Sequence, residues 1–194
     1  MTRPSAKSTR RADAQHNVER ILDAAVACLG RDPDASVSEI AQAAGVGRVT
    51  LYGHFPSRDV LVEAALARVL ADGEKLLAGL DLTGDPQDAL RVLVGSSWLL
   101  IAQSSALLEA AQASLPPGRV HELHAGPARR VDQLIRRGQA EGIFRTDLPA
   151  SWLTSVLHYV MKGAAADVAT GQLDRTEAPR LVSETVLAAC RAGG

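Results

Sequence analysis

The chain has 194 residues and a formal net charge of −1, with 46% hydrophobic, 22% charged and only 3% aromatic residues. Such proportions exclude a largely disordered chain, and a polypeptide of this length hides about 70% of its unfolded surface, so its core needs neither metal nor disulfides. With so few aromatics the core falls to Leu, Val, Ala and Ile, which favours helices packed on helices over a β-sandwich.

Residues 1–20 hold five Lys or Arg against two Asp or Glu, a mildly basic end on a near-neutral body. The opening MTRPSAKSTRRA lacks apolar periodicity, so residues 1–14 are expected to form a disordered basic arm. No apolar run follows that arm, so a secretory signal is not expected. Val18, Ile21, Leu22, Ala25 and Leu29 then make the apolar stripe of a first helix. Gly30 stands where a helix ends, and Asp32-Pro33-Asp34 makes the loop behind it.

Residues 36–58, SVSEIAQAAGVGRVTLYGHFPSR, carry the densest signal. Ser36 followed by Glu39 is a capping box that starts a helix of two turns. Gly45 stops it at a position suited to left-handed backbone. Ile40, Ala44, Val46 and Leu51 are spaced to share a small core, and Ala41 sits where two short helices approach. A second short helix is expected from about Arg48 to His54. Two helices joined by a tight glycine turn make a helix-turn-helix unit, whose second helix can enter a DNA major groove. Arg48, Thr50, Tyr52 and His54 are its polar groups, while Leu51 and Phe55 turn inward. Hydroxyls of Thr50 and Tyr52 can bond phosphates, Arg48 can reach a guanine edge or a phosphate, and Arg58 is expected to grip a phosphate. Ser36, Ser38 and Val49 complete the candidate DNA-contacting set.

Ser57 is expected to cap a helix running to about Asp72. Thr83-Gly84-Asp85-Pro86 breaks the chain before a long helix, and Pro116-Pro117-Gly118 breaks it again. Within that helix, the uncharged run Val92–Leu108 is 17 residues with Gln103 and four serines, too short and polar to span a bilayer. Gly126-Pro127 interrupts or restarts the next helix. Residues 142–147 form a loop, with Asp147 the expected cap of a helix over 150–169. A last helix is expected from about Glu177 to Arg191, for eight or nine helices in all. Cys28 and Cys190 fall in apolar helical patterns and read as buried thiols, not as ligands. His121 and His124 lack a third spaced ligand, so no metal site is expected.

Residues 15–60 resemble the N-terminal DNA-binding domain of the TetR family of transcriptional regulators. The matching segments are Ser36-x-x-Glu39-Ile40-Ala41, Ala44-Gly45-Val46 and Thr50-Leu51-Tyr52-x-His54-Phe55-Pro56-Ser57-Arg58, about a quarter of the chain. Gly138 to Leu148 is similar to a frequent stretch of the family's second domain. Two positions depart from the pattern: Gly47 replaces a side-chain cap, and Gly53 replaces a bulky or polar residue. The resemblance implies an all-α protein. Its three-helix DNA-binding domain would cover 15–60, and a helical ligand-binding and dimerisation domain would cover 61–194.

Function follows as expectation. The resemblance implies a repressor that binds a palindromic operator on double-stranded DNA as a homodimer and is released by a small apolar effector, which would alter the separation of the two DNA-reading heads. The last two helices would form the dimer interface, with Val156, Val160, Gly163, Leu181, Val182, Thr185, Val186 and Ala189 as candidates. Trp98, Gln103, His158, Tyr159 and Met161 are the candidate effector contacts among apolar helices. No cofactor, metal or membrane is implied, and the cytoplasm is the expected location. A phosphate loop, nucleophile elbow, zinc motif and paired-carboxylate signature are all missing, which argues against an enzyme. The competing readings are a constitutive DNA-binding regulator without effector, and a small helical ligand-binding protein or enzyme.

Overall fold

Helix α1 (Ala6–Leu29) opens the computed structural model, which describes residues 6–116 and 118–192, with the backbone alone at residues 6–12, 99, 102 and 103. The arm expected to be disordered over residues 1–14 is thus helical from Ala6, and residues 1–5 lie outside the described residues. Ala, Lys and Arg are strong helix formers, and adding residues to an anchored helix avoids the nucleation cost. After it come α2 (Val37–Ala44), α3 (Arg48–His54), α4 (Arg58–Ala78), α5 (Pro86–Ser114), α6 (Arg119–Leu123), α7 (Ala125–Ala140), α8 (Ala150–Ala169) and α9 (Ala178–Cys190). The class is all-α, as the sequence implies. Among the described residues the β-structure is one isolated antiparallel bridge, Phe144 to Arg191.

The chain divides into two compact units. The first comprises Met1–Val69 and Ala106–Val120, the second Leu70–Ser105 and His121–Gly194. This differs from the expected boundary at residue 60, because the end of α5 packs with the N-terminal helices, a long-range contact that leaves no local signal.

In the first unit Ile21, Ala25 and Leu29 of α1 are buried with Ile40, Ala41 and Ala44 of α2. Leu51, Phe55, Leu61, Val62, Ala65, Leu66, Leu107 and Ala111 are buried in the same unit. Alanines on both α1 and α2 let these two helices pack closely. Arg68 of α4 reaches Glu19 of α1 at 2.6 Å, and Arg119 reaches Glu63 at 2.9 Å, pairs worth about 0–1 kcal/mol each where solvent reaches them.

The second unit has its own core of Leu77, Leu90, Leu93, Val94, Trp98, Val131, Ile135, Leu153, Leu157, Met161, Val182, Val186 and Leu187. Helix α4 runs to Ala78, past the expected end near Asp72, because Leu77 still has core to enter. Helix α8 packs on α7 and on α9. Cys28 and Cys190 are free and buried, and burial pushes the Cys190 thiol up to about 11.

The 138–148 stretch closes α7 against this core. Gly142, at φ 72°, turns the chain back so that the amides of Ile143 and Phe144 donate to Gly138 O at 2.9 and 3.0 Å. The Gln139 side-chain amide donates to Arg145 O and Leu148 O, at 2.8 and 2.9 Å. Asp147, expected as the cap of α8, instead receives the Arg145 guanidinium at 2.6 and 2.8 Å, and the α8 cap position is Pro149 without a side-chain bond. A side chain at Gly138 would collide with the buried Phe144 ring. Gly138→Ala is therefore expected to destabilise the protein by about 1–3 kcal/mol, an overpacking cost read as a lowered midpoint in thermal unfolding.

Candidate nucleic-acid interface

Helix α2 starts where the capping box demands. The Ser36 hydroxyl accepts from the Glu39 amide at 3.2 Å, and the Glu39 carboxylate accepts from the Ser36 amide at 2.7 Å. These bonds to Ser36 hold the Glu39 carboxyl below its ordinary range. The helix ends at Gly45, at φ 64° and ψ 35°, with its amide bonded to Gln42 O at 3.0 Å and that of Val46 to Ala41 O at 3.0 Å. Three residues after Gly45, at Arg48, α3 begins. Its cap, Gly47, makes no side-chain bond, the consequence expected of glycine there.

Helix α3 has seven residues, about two turns, and its two faces differ sharply. Leu51 is fully buried, and Phe55 just beyond the helix is buried as well. Arg48, Val49, Thr50, Tyr52 and Gly53 are exposed, and His54 is half-buried in the last turn. Ser36 and Ser38 are exposed at the start of α2. The turn therefore gathers the candidate DNA-contacting side chains of α3 on one surface.

Arg58 does not belong to that surface. Its guanidinium donates to Pro33 O at 2.6 Å and to Ser114 Oγ at 2.8 Å, tying α4 to the loop after α1 and to the end of α5 within the first unit. The phosphate grip expected of it is replaced by an internal clamp, whose partners lie 25 and 56 residues away and so escaped the sequence.

The candidate effector residues divide. Trp98 and Met161 lie in the core of the second unit, Tyr159 is 71% exposed, His158 is half-buried, and the Gln103 side chain lies outside the described residues. Burial, and after it the neighbouring His124 ring 6.4 Å away, lower the His158 pKa. Trp98 Nε1 and Thr154 Oγ1 are buried without a hydrogen-bond partner among the described residues. No cluster of three metal-ligating side chains occurs among the described residues, and none of their helices is long and apolar enough to cross a membrane.

The candidate interface residues divide. Val182 and Val186 are buried in the core of their own unit, whereas Leu181, Thr185 and Gly163 are exposed and Val156, Val160 and Ala189 half-buried. Trp152, not among those candidates, is 53% exposed, and Trp152, Val156, Tyr159 and Gly163 follow at the i, i+4, i+7, i+11 spacing of one helix face.

A short helix held at a fixed angle by a glycine turn, apolar inward and polar outward, defines a helix-turn-helix protein. Residues 21–65 match the tetR family of bacterial regulatory proteins. The HTH-type transcriptional repressor LfrR of Mycolicibacterium smegmatis (strain ATCC 700084 / mc(2)155) is 38% identical over 97 residues, so the match spans half of this chain and half the length of that relative. Among solved structures, FadR from Bacillus subtilis in complex with stearoyl-CoA shares the fold at a TM-score of 0.74, with 18% identity over 88% of this chain and 97% of that one. LfrR from Mycobacterium smegmatis in complex with proflavine does so at a TM-score of 0.72, with 22% identity over 89% and 94%. Over residues 21–65 the chain is thus similar to the tetR family of bacterial regulatory proteins, and it spans half the length of the curated repressor it matches.

Loss of the Arg58 clamp removes two charge-assisted hydrogen bonds, worth about 3 kcal/mol together at the low end of their range. Arg58→Ala is expected to lower the thermal midpoint by roughly 6–12 °C. An unchanged midpoint with lost DNA affinity would return Arg58 to the phosphate contacts.

Proposed function

We propose that the protein is a cytoplasmic transcriptional repressor that binds a two-fold symmetric operator as a homodimer and leaves it when a small apolar effector binds the second unit. The observation that carries the reading is the exposed face of α3, with Arg48, Thr50 and Tyr52 outward over a buried Leu51. A helix presented this way fits the major groove, its hydroxyls meeting phosphates and Arg48 a base edge or a phosphate. Ser36 and Ser38, exposed beside it, are further candidates for phosphate contact.

The homodimer is supported by the outward face of α8, where Trp152 and Tyr159 stand exposed beside half-buried Val156 and Val160. Gly163 on the same face lets a second helix approach closely, and Leu181 and Thr185 extend the surface on α9. Val182 and Val186 take no part in it. Tyr159 moves from the effector set to this face. A two-fold dimer carries two recognition helices to half-sites about 34–36 Å apart.

The effector is supported by two buried donors without a partner among the described residues, Trp98 Nε1 in the apolar core and Thr154 Oγ1 on α8, which a bound acceptor would satisfy. Two solved structures that share the fold are complexes with a small molecule, FadR with stearoyl-CoA and LfrR with proflavine. Release requires that the effector bind the DNA-incompetent state more tightly, by about 5.5 kcal/mol to shift a 1:99 equilibrium to 99:1.

Selection of bound duplexes from random sequence is expected to return a two-fold symmetric consensus whose affinity falls steeply with salt, by about 10³-fold between 50 and 200 mM if six phosphates are met. Tyr52→Ala should then weaken every duplex alike, by about fivefold for one lost hydrogen bond, whereas Arg48→Ala should also flatten the sequence preference. Equal losses on consensus and scrambled DNA would remove Arg48 from base reading. In sedimentation, the wild type is expected at twice the 20.4 kDa chain mass and Tyr159→Asp at the single mass. A wild type that stays at the single mass would overturn the dimer.

A further inference from the structure

Val49 is the most exposed large hydrophobic side chain among the described residues, at 87% of its full surface. It is the second residue of α3, between Arg48 and Thr50, which are exposed too. The fold gives no reason for it: the side chain packs on nothing, and a β-branched residue is a middling helix former. Helical side chains lean toward the N-terminus, so the residue one turn later is the one that covers a given position. For Val49 that residue is Gly53, where even an added Cβ would meet nothing within 4 Å. The two departures of this helix thus act together: Gly53 leaves the isopropyl group of Val49 bare on the surface that carries Arg48, Thr50 and Tyr52.

An isopropyl group can neither donate nor accept a hydrogen bond, so a phosphate or a polar base edge gains nothing from it. The major groove presents one apolar group, the C5-methyl of thymine; cytosine has only hydrogen at that carbon. We propose that Val49 is a specificity-determining residue that packs on the C5-methyl group of a thymine in the bound site, with Gly53 leaving room for the approach. The inference rests on the DNA-binding reading above and adds the base to it.

The test uses the full chain and a duplex selected from random sequence. Each thymine is replaced in turn by deoxyuridine, which removes the methyl group and nothing else. At one position in each half-site the replacement is expected to weaken binding about three- to fivefold, the affinity of one buried methyl. Val49→Ala should abolish that difference while its thermal unfolding stays that of the wild type, since the side chain makes no contact in the fold. Tolerance of uracil at every position, a selected site without thymine, or an undiminished uracil penalty in Val49→Ala would overturn the inference. A protein that binds no duplex at all overturns the DNA-binding reading and this inference with it, whereas tight binding without uracil sensitivity overturns this inference alone.

Discussion

The left-handed turn at Gly45 is the constraint on which the recognition surface depends. A φ of 64° is costly for residues with a Cβ and free for glycine, and it lets the last carbonyls of α2 be satisfied by the amides of Gly45 and Val46. Arg20 of α1 adds a bond to Gly45 O at 3.3 Å, so the turn is held from the neighbouring helix as well. With α2 pinned at its start by Ser36 and Glu39, and Leu51 sunk in the core, α3 has one way to face. Its outward side chains follow from that geometry without any further interaction to position them.

The first unit places its arginines in two ways. Arg20, Arg58, Arg68 and Arg119 bridge elements far apart in sequence, each meeting a carbonyl, hydroxyl or carboxylate of another element. Arg48 instead stands exposed on α3. A guanidinium that crosslinks helices adds rigidity to the platform, and one left in solvent is available to a polyanion; the same residue type serves both ends according to whether a partner lies within reach.

The second unit is organised around α8, which is apolar on two sides. Leu153, Leu157, Met161 and Ala165 enter the unit's own core, while Trp152, Val156, Tyr159 and Gly163 form a stripe on the other side. Both sets are read easily as apolar at helical spacing, and the pattern alone does not say which one faces inward. The same ambiguity put Val182 and Val186 among the interface candidates and Tyr159 among the effector contacts. In each case the side chain's chemistry was legible and its direction was not.

Local chemistry was enough to place the helices, the capping box, the glycine turn and the short helix Arg48–His54, because each rests on contacts within a few residues. The same holds for the inward turn of Leu51 and Phe55, which helical period dictates once the motif is recognised. Packing alone decided the rest: that Arg58 clamps Pro33 and Ser114 in place of a phosphate, that Asp147 takes Arg145 in place of a helix cap, that the end of α5 joins the first unit, and that residues 6–14 continue α1. Those outcomes turn on partners brought near by the folded chain or on an anchor further along a helix. A residue's own neighbours in sequence carry no record of which distant group will arrive within hydrogen-bond distance.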